Sequence, residues 1–139
     1  MQITLFSVEE ANLLLPRLRP LLGKLRAQKV QFDRLVTRSE VLAIATAGAD
    51  PANPDAVELR DLVEKRRRLA RRISHGLGEL HELGAVVKDL DAGLCDFYAL
   101  MGDRLVFLCW RADEPEVAHW HGLTEGFAGR RSVRGAELE

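Results

Sequence analysis

From Ser7 to Gly84 the apolar residues of this chain recur in alternating steps of three and four, and from Val86 onward they alternate one by one. The first rhythm is that of helices with one buried face, the second that of half-buried strands. One stripe runs Leu14, Leu18, Leu21, Leu25, Gln28, Phe32, Leu35, Ser39, Leu42, a heptad-like seam with two polar interruptions. A second runs Leu59, Leu62, Arg66, Leu69, Ile73, Gly76, Leu80, Leu83. Ser7 with Glu10 is a capping-box pattern that opens the first helix, with Phe6 placed to staple onto its first turn. Pro16 and Pro20 each remove a backbone donor, which predicts a break or kink near Leu15. Ala47 to Pro54 is rich in glycine and proline and reads as a hairpin tip, Asp55 with Glu58 offers a second capping box, and Gly84 a helix stop. Two helices of about 25 to 30 residues, reaching roughly 40 Å, then lie antiparallel. Such a pair cannot cover both stripes by itself, which predicts a homodimer through the helices.

Beyond Gly84, strands are expected at Val86–Leu90, Leu94–Leu100, Leu105–Trp110 and Val117–His121. A two-residue turn at Gly102–Asp103 sets Asp96 opposite Cys109, Tyr98 opposite Phe107, Cys95 opposite Trp110 and Phe97 opposite Leu108. One face then carries Asp96, Tyr98, Phe107 and Cys109. The other carries Cys95, Phe97, Val106, Leu108 and Trp110 and is the one to lay on the helices. The fold class that follows is α+β: a long antiparallel two-helix hairpin (residues 7–84), a small antiparallel sheet head (86–131) and a flexible tail (132–139), in a single domain.

The length of 139 residues suits one domain, and 47% hydrophobic with 29% charged residues is ordinary for a soluble globular chain. No apolar run approaches the roughly 20 residues of a membrane helix and no signal-peptide pattern opens the chain, so a cytoplasmic protein with no membrane association is expected. Two cysteines, Cys95 and Cys109, are too few for a disulfide framework. The net charge of −1 hides an asymmetry: residues 1–78 hold 14 basic and 9 acidic side chains, residues 79–125 hold 3 and 10. A basic shaft thus carries an acidic head, which can attract cations or a neighbouring subunit.

Most residues able to do site chemistry fall in the head. His119 and His121 flank Trp120, and in a strand both imidazoles point to one face, so a transition metal such as zinc is a candidate cofactor. Glu116, Glu125, Cys109 and Asp96 are the further candidate ligands, set against the reading of hydrogen-bonded histidines beside a packed tryptophan. Asp89, Asp91 and Asp96 gather around Gly93. Asp91 suits a turn, but Asp96 lies between apolar neighbours and needs a partner, for which Arg130 or His121 would serve. Gly126-Phe127-Ala128-Gly129-Arg130-Arg131 can hold an anion through amides and guanidinium groups, or can simply form a turn whose Arg130 pairs with an internal carboxylate. Asp89, Asp91, Asp96 and Arg130 are therefore candidate ligand-binding residues. Lys65 to Arg72 holds six basic residues in eight, but Asp61–Lys65 and Glu64–Arg68 can pair along the helix and no aromatic residues interleave, so nucleic acid is disfavoured against a solvated face or an ion-pair surface between subunits. Cys109 in a strand lacks the helix N-terminus that commonly activates a thiol, and no catalytic triad stands out.

Several segments together carry a family likeness: Phe6-Ser7-Val8-Glu9-Glu10-Ala11-Asn12, Leu15-Pro16 with Arg19-Pro20-Leu21, Lys88-Asp89-Leu90-Asp91, Gly93-Leu94, Asp96-Phe97, Cys109-Trp110-Arg111, Glu114-Pro115-Glu116, Trp120-His121 and Gly126 to Arg130. The chain resembles the bacterial family called domain of unknown function 2203 over nearly its whole length. That family has Trp120-His121 as its usual pair and often an aromatic residue at the place of His119, which directs attention to His121. Cys95 and Tyr98 stand where an aliphatic residue and proline are more usual. The resemblance implies one neighbourhood of Asp89, Asp91, Asp96, Cys109, Trp110, Glu116, His121 and Arg130 beside the sheet, which adds Trp110 to the candidate ligand-binding residues, and it names no activity. Three functions remain open: uptake of a divalent metal or small polar ligand by the head, a structural or adaptor module that engages a protein partner or a second copy through its hairpin, and an enzyme using His121 as acid or base.

Overall fold

The computed structural model describes residues 2–135. Its elements are α1 (Val8–Ala45), α2 (Pro54–Glu82), β1 (Val86–Asp89), β2 (Leu94–Met101), β3 (Arg104–Arg111), β4 (His119–Gly122), a short 3-10 turn (Phe127–Gly129) and β5 (Arg131–Ser132). This is the α+β arrangement that the two rhythms predict, a helical hairpin followed by an antiparallel sheet. The sheet has five strands in sequential order, one more than the alternation revealed.

Local chemistry fixes the helix ends. The Ser7 hydroxyl accepts the Glu10 N–H at 3.0 Å and the Glu10 carboxylate accepts the Ser7 N–H at 2.9 Å, a complete capping box. At the end of α2 the Gly84 N–H donates to the His81 carbonyl and the Ala85 N–H to that of Leu80, the paired bonds of a Schellman stop, with Gly84 at φ +100°. The start of α2 differs from expectation. Asn53, not Asp55, is the cap: its side chain accepts the Asp55 N–H at 2.9 Å, and Pro54 fills the first helical position, where no donor is needed.

The break expected near Leu15 does not occur. Helix α1 passes through Pro16 and Pro20 for 38 residues, longer than the expected span. Leu15, Leu18, Leu22 and Leu25 are all buried in the same core on both sides of the prolines, and that shared burial keeps the segment one helix despite two lost donors. The buried face is also turned slightly from the expected stripe: Leu15 and Leu22 are buried while Leu14 and Leu21 are only partly so. The cause is the sheet, because the first half of α1 contributes to one core with Cys95, Phe97, Val106, Leu108 and Trp110 as well as with Leu69, Ile73 and Leu80 of α2.

The β2–β3 register is the expected one, with Asp96 opposite Cys109, Tyr98 opposite Phe107, Cys95 opposite Trp110 and Phe97 opposite Leu108. Gly102 at φ +64° begins the turn, and no non-glycine residue among those described has positive φ, which is the pattern of a II′ hairpin. Strand β4 continues the sheet with His119 opposite Cys109 and His121 opposite Phe107. Ser132 pairs with His119 and Arg131 with Trp120, so the chain beyond Gly129 returns to the sheet edge. Residues 136–139 of the expected tail lie outside the described residues. No helix among the described residues is long and apolar enough to cross a membrane.

Candidate functional site

The alternation of β2, β3 and β4 sends Asp96, Cys109, His119 and His121 to the sheet face turned away from the helices. Three of these residues, Asp96, Cys109 and His121, are buried at 1%, 0% and 2% exposure. His121 reaches diagonally over β3 to set Nε2 3.0 Å from Asp96 Oδ2. Its Nδ1 lies 2.8 Å from the Gly122 carbonyl, and because a carbonyl can only accept, Nδ1 carries a hydrogen. The proton between Nε2 and Oδ2 then belongs either to an imidazolium facing a carboxylate or to a carboxylic acid facing a neutral imidazole. Burial pushes the Asp96 carboxyl above its usual range, opposed in part by the charge and hydrogen bond of His121. Asp96 Oδ1 is buried with no hydrogen-bond partner among the described residues.

Cys109 sits between these two groups. Burial, reinforced by the negative charge of Asp96, pushes its thiol up to about 12. One ligand atom from each of Asp96, Cys109 and His121 falls within 4.8 Å of the others, so the three could hold a metal ion. Lys88 and the Tyr98–Phe107 ring pair lie on the same face, with Lys88 Nζ 4.3 Å from the Phe107 ring and the two rings 4.7 Å apart.

A second polar group adjoins the first. Arg130 donates from Nη2 to both carboxylate oxygens of Glu114, at 2.9 and 2.6 Å, and its guanidinium lies 4.4 Å from the Phe127 ring. His119 touches the same guanidinium through Nδ1 and stands 3.6 Å from Glu114. Arg130 is thus the partner of Glu114 rather than of Asp96, which is paired with His121. The Glu114 carboxylate also accepts the Arg111 N–H at 2.8 Å, and its carbonyl accepts the Trp110 indole N–H at 3.0 Å.

Not every expected site residue joins this neighbourhood. Trp110 is buried on the opposite face, where Arg19 lies 5.0 Å from its ring, because an odd step along β3 from Cys109 reverses the side chain. Asp89 is exposed and accepts the Ala92 N–H in the turn, Asp91 is exposed beside Lys29, and Glu116 is exposed. Glu114, the carboxylate of the second group, was not singled out from the sequence; Glu125, expected as a possible metal ligand, instead caps the Gly122 N–H at 2.9 Å and pairs with Arg131. Glu114 follows the end of β3 by three residues, a placement that in a sequence reads as solvated loop.

The family described as uncharacterized conserved protein (DUF2203) matches residues 4–133. The chain belongs to this family. The match takes in both helices, all five strands and every polar residue described above. Neither the curated proteins nor the solved structures contain a match to the chain. Membership of DUF2203 carries no activity with it.

Proposed function

We propose that the head binds one divalent transition metal of the zinc class through Asp96, Cys109 and His121. The observation that carries this reading is the convergence of an oxygen, a sulfur and a nitrogen ligand atom within 4.8 Å in a buried site. The tautomer suits it, since a metal-binding imidazole usually donates its other N–H to a carbonyl or carboxylate, as Nδ1 of His121 does to Gly122. So does the orphaned Asp96 Oδ1, which a cation would satisfy. Binding replaces two protons, the one shared by Asp96 and His121 and the one on the Cys109 thiol. Three protein ligands leave one coordination position for water or a small polar ligand.

Cobalt(II) added to reduced, metal-free protein tests this directly. A thiolate-to-metal charge-transfer band with intense tetrahedral d–d absorption is expected, and the charge-transfer band is lost in Cys109→Ala while d–d absorption persists. Absence of both in the unaltered protein contradicts the reading.

A second reading, pairing of two hairpins, is favoured by Val30, Val41 and Ile44, exposed at 50%, 52% and 81% in the half of α1 towards the tip. Light scattering at twice the chain mass supports it, and a monomer at all concentrations rejects it.

A further inference from the structure

A cleft of about 580 Å³ lies on the hairpin, between α1 and α2, away from the head. Its size falls in the about 300–1,000 Å³ range of small-molecule sites. Lys24 of α1 and Arg68, Arg71, Arg72 and His75 of α2 line it. Leu21 and Leu25 add apolar surface, and Glu79, held 3.3 Å from His75, is its one acidic side chain. The run of arginines acquires a direction here. Spacings of three, four and seven residues put Arg68, Arg71, Arg72 and His75 on one side of α2, facing Lys24. Glu64, expected beside Arg68, pairs instead with Arg67 at 2.9 Å. Among the described residues Lys24, Arg68, Arg71 and Arg72 have no acidic partner within 4.0 Å, although the chain as a whole is slightly acidic at net −1.

Four unpaired cations around one concavity repel one another, and an anion of matching charge relieves that repulsion. Guanidinium forks fit the oxygens of phosphate in pairs. A wall of leucine beside them favours an organic group over a bare inorganic ion. No aromatic side chain lines the cleft, so the stacking platform that single-stranded nucleic acid uses is missing there.

We propose that this cleft binds a small organic di- or triphosphate, its phosphates held by Lys24, Arg68, Arg71 and Arg72 and its organic group laid against Leu21 and Leu25. The site is separate from the metal triad and does not depend on it.

Isothermal titration of the full chain in EDTA, with ATP as probe and tripolyphosphate as comparison, tests the proposal. One ATP per chain is expected, bound more tightly than tripolyphosphate and weakened as NaCl rises from about 50 to about 300 mM. The double substitution Arg68→Glu with Arg72→Glu is expected to weaken ATP by about tenfold or more while the thermal midpoint is kept. Lack of binding at millimolar ATP, equal affinity for tripolyphosphate, or indifference to the charge reversal overturns it. Binding of a single-stranded oligonucleotide without any response to ATP also overturns it, in favour of a nucleic-acid surface. Because EDTA is present throughout, none of these outcomes bears on the metal reading.

Discussion

His121 Nε2 stands 3.0 Å from Asp96 Oδ2, and the two side chains, 25 residues apart in sequence and on strands separated by β3, are 3% and 2% exposed. A pair so enclosed tolerates the loss of one member badly, because the other is left in a low-dielectric setting without a partner. In EDTA, Asp96→Ala or His121→Ala should each lower the urea unfolding free energy by about 3–5 kcal/mol. Replacing both by leucine should be less damaging than the sum of the two single changes. Single variants within about 1 kcal/mol of the parent would show that the pair does not hold the head together.

Thiol titration supplies a pH dependence. Burial pushes both Cys95 and Cys109 up to about 12 in the folded chain, whereas an unfolded thiol ionises near about 8.5. The raised folded value means that the thiols favour folding fully below the unfolded value, and that this contribution is lost as pH climbs through the folded one. Between about pH 9 and 11, stability in EDTA should fall with a slope of up to about 1.4 kcal/mol per pH unit for each thiol. Denaturation at several alkaline pH values checks this, and Cys95→Ala should halve the slope. A flat profile in the parent contradicts it. In the same range the native thiols should react with a disulfide reagent only through unfolding.

Arg130 and Glu114 are 10% and 19% exposed and joined by bonds of 2.6 and 2.9 Å. Arg130→Lys keeps the charge but loses the planar fork and the stacking on Phe127. The expected loss is about 1.5–3 kcal/mol, with Glu114→Gln in the same range. Equal stability of Arg130→Lys and the parent in urea would mean that the second polar group is held only as a point charge.

Gly84 joins shaft to head at φ +100°, and a Cβ there would lie 2.5 Å from the Phe6 ring. Gly48, in the hairpin tip at φ +76°, has open space around it. Gly48→Ala should therefore lose only the backbone preference, about 1 kcal/mol, while Gly84→Ala should lose clearly more by displacing Phe6 from its 5.2 Å edge contact with Phe97. Thermal midpoints of the two variants decide it, and equal shifts would contradict the packing role of Phe6.

Most of the fold was legible because it rests on short-range rules. The spacing change at Gly84 separated shaft from head, and a two-residue turn at Gly102–Asp103 was enough to set the β2–β3 register residue by residue. The unbroken run through Pro16 and Pro20 was not legible, since burial against the sheet decides it and local propensity points the other way. Strand β5 is two residues long and carries no alternation to detect. In the site, the pairing of Asp96 with His121 was among the options because an acid in an apolar strand demands a partner. The bond from Arg130 to Glu114 was not, because it depends on how the loop after β3 folds back over the sheet. Trp110 was placed in the polar neighbourhood by resemblance, although strand alternation already assigned it to the helix side.

The metal reading meets its most direct test in a calorimetric zinc titration of reduced, metal-free protein near neutral pH, repeated in buffers of different ionisation enthalpy so that proton release is counted. One zinc per chain with about two protons released is expected, with Cys109→Ala reducing the count by about one. No heat of binding, or binding without proton release that is unchanged in Cys109→Ala and His121→Ala, would contradict a centre built on Asp96, Cys109 and His121.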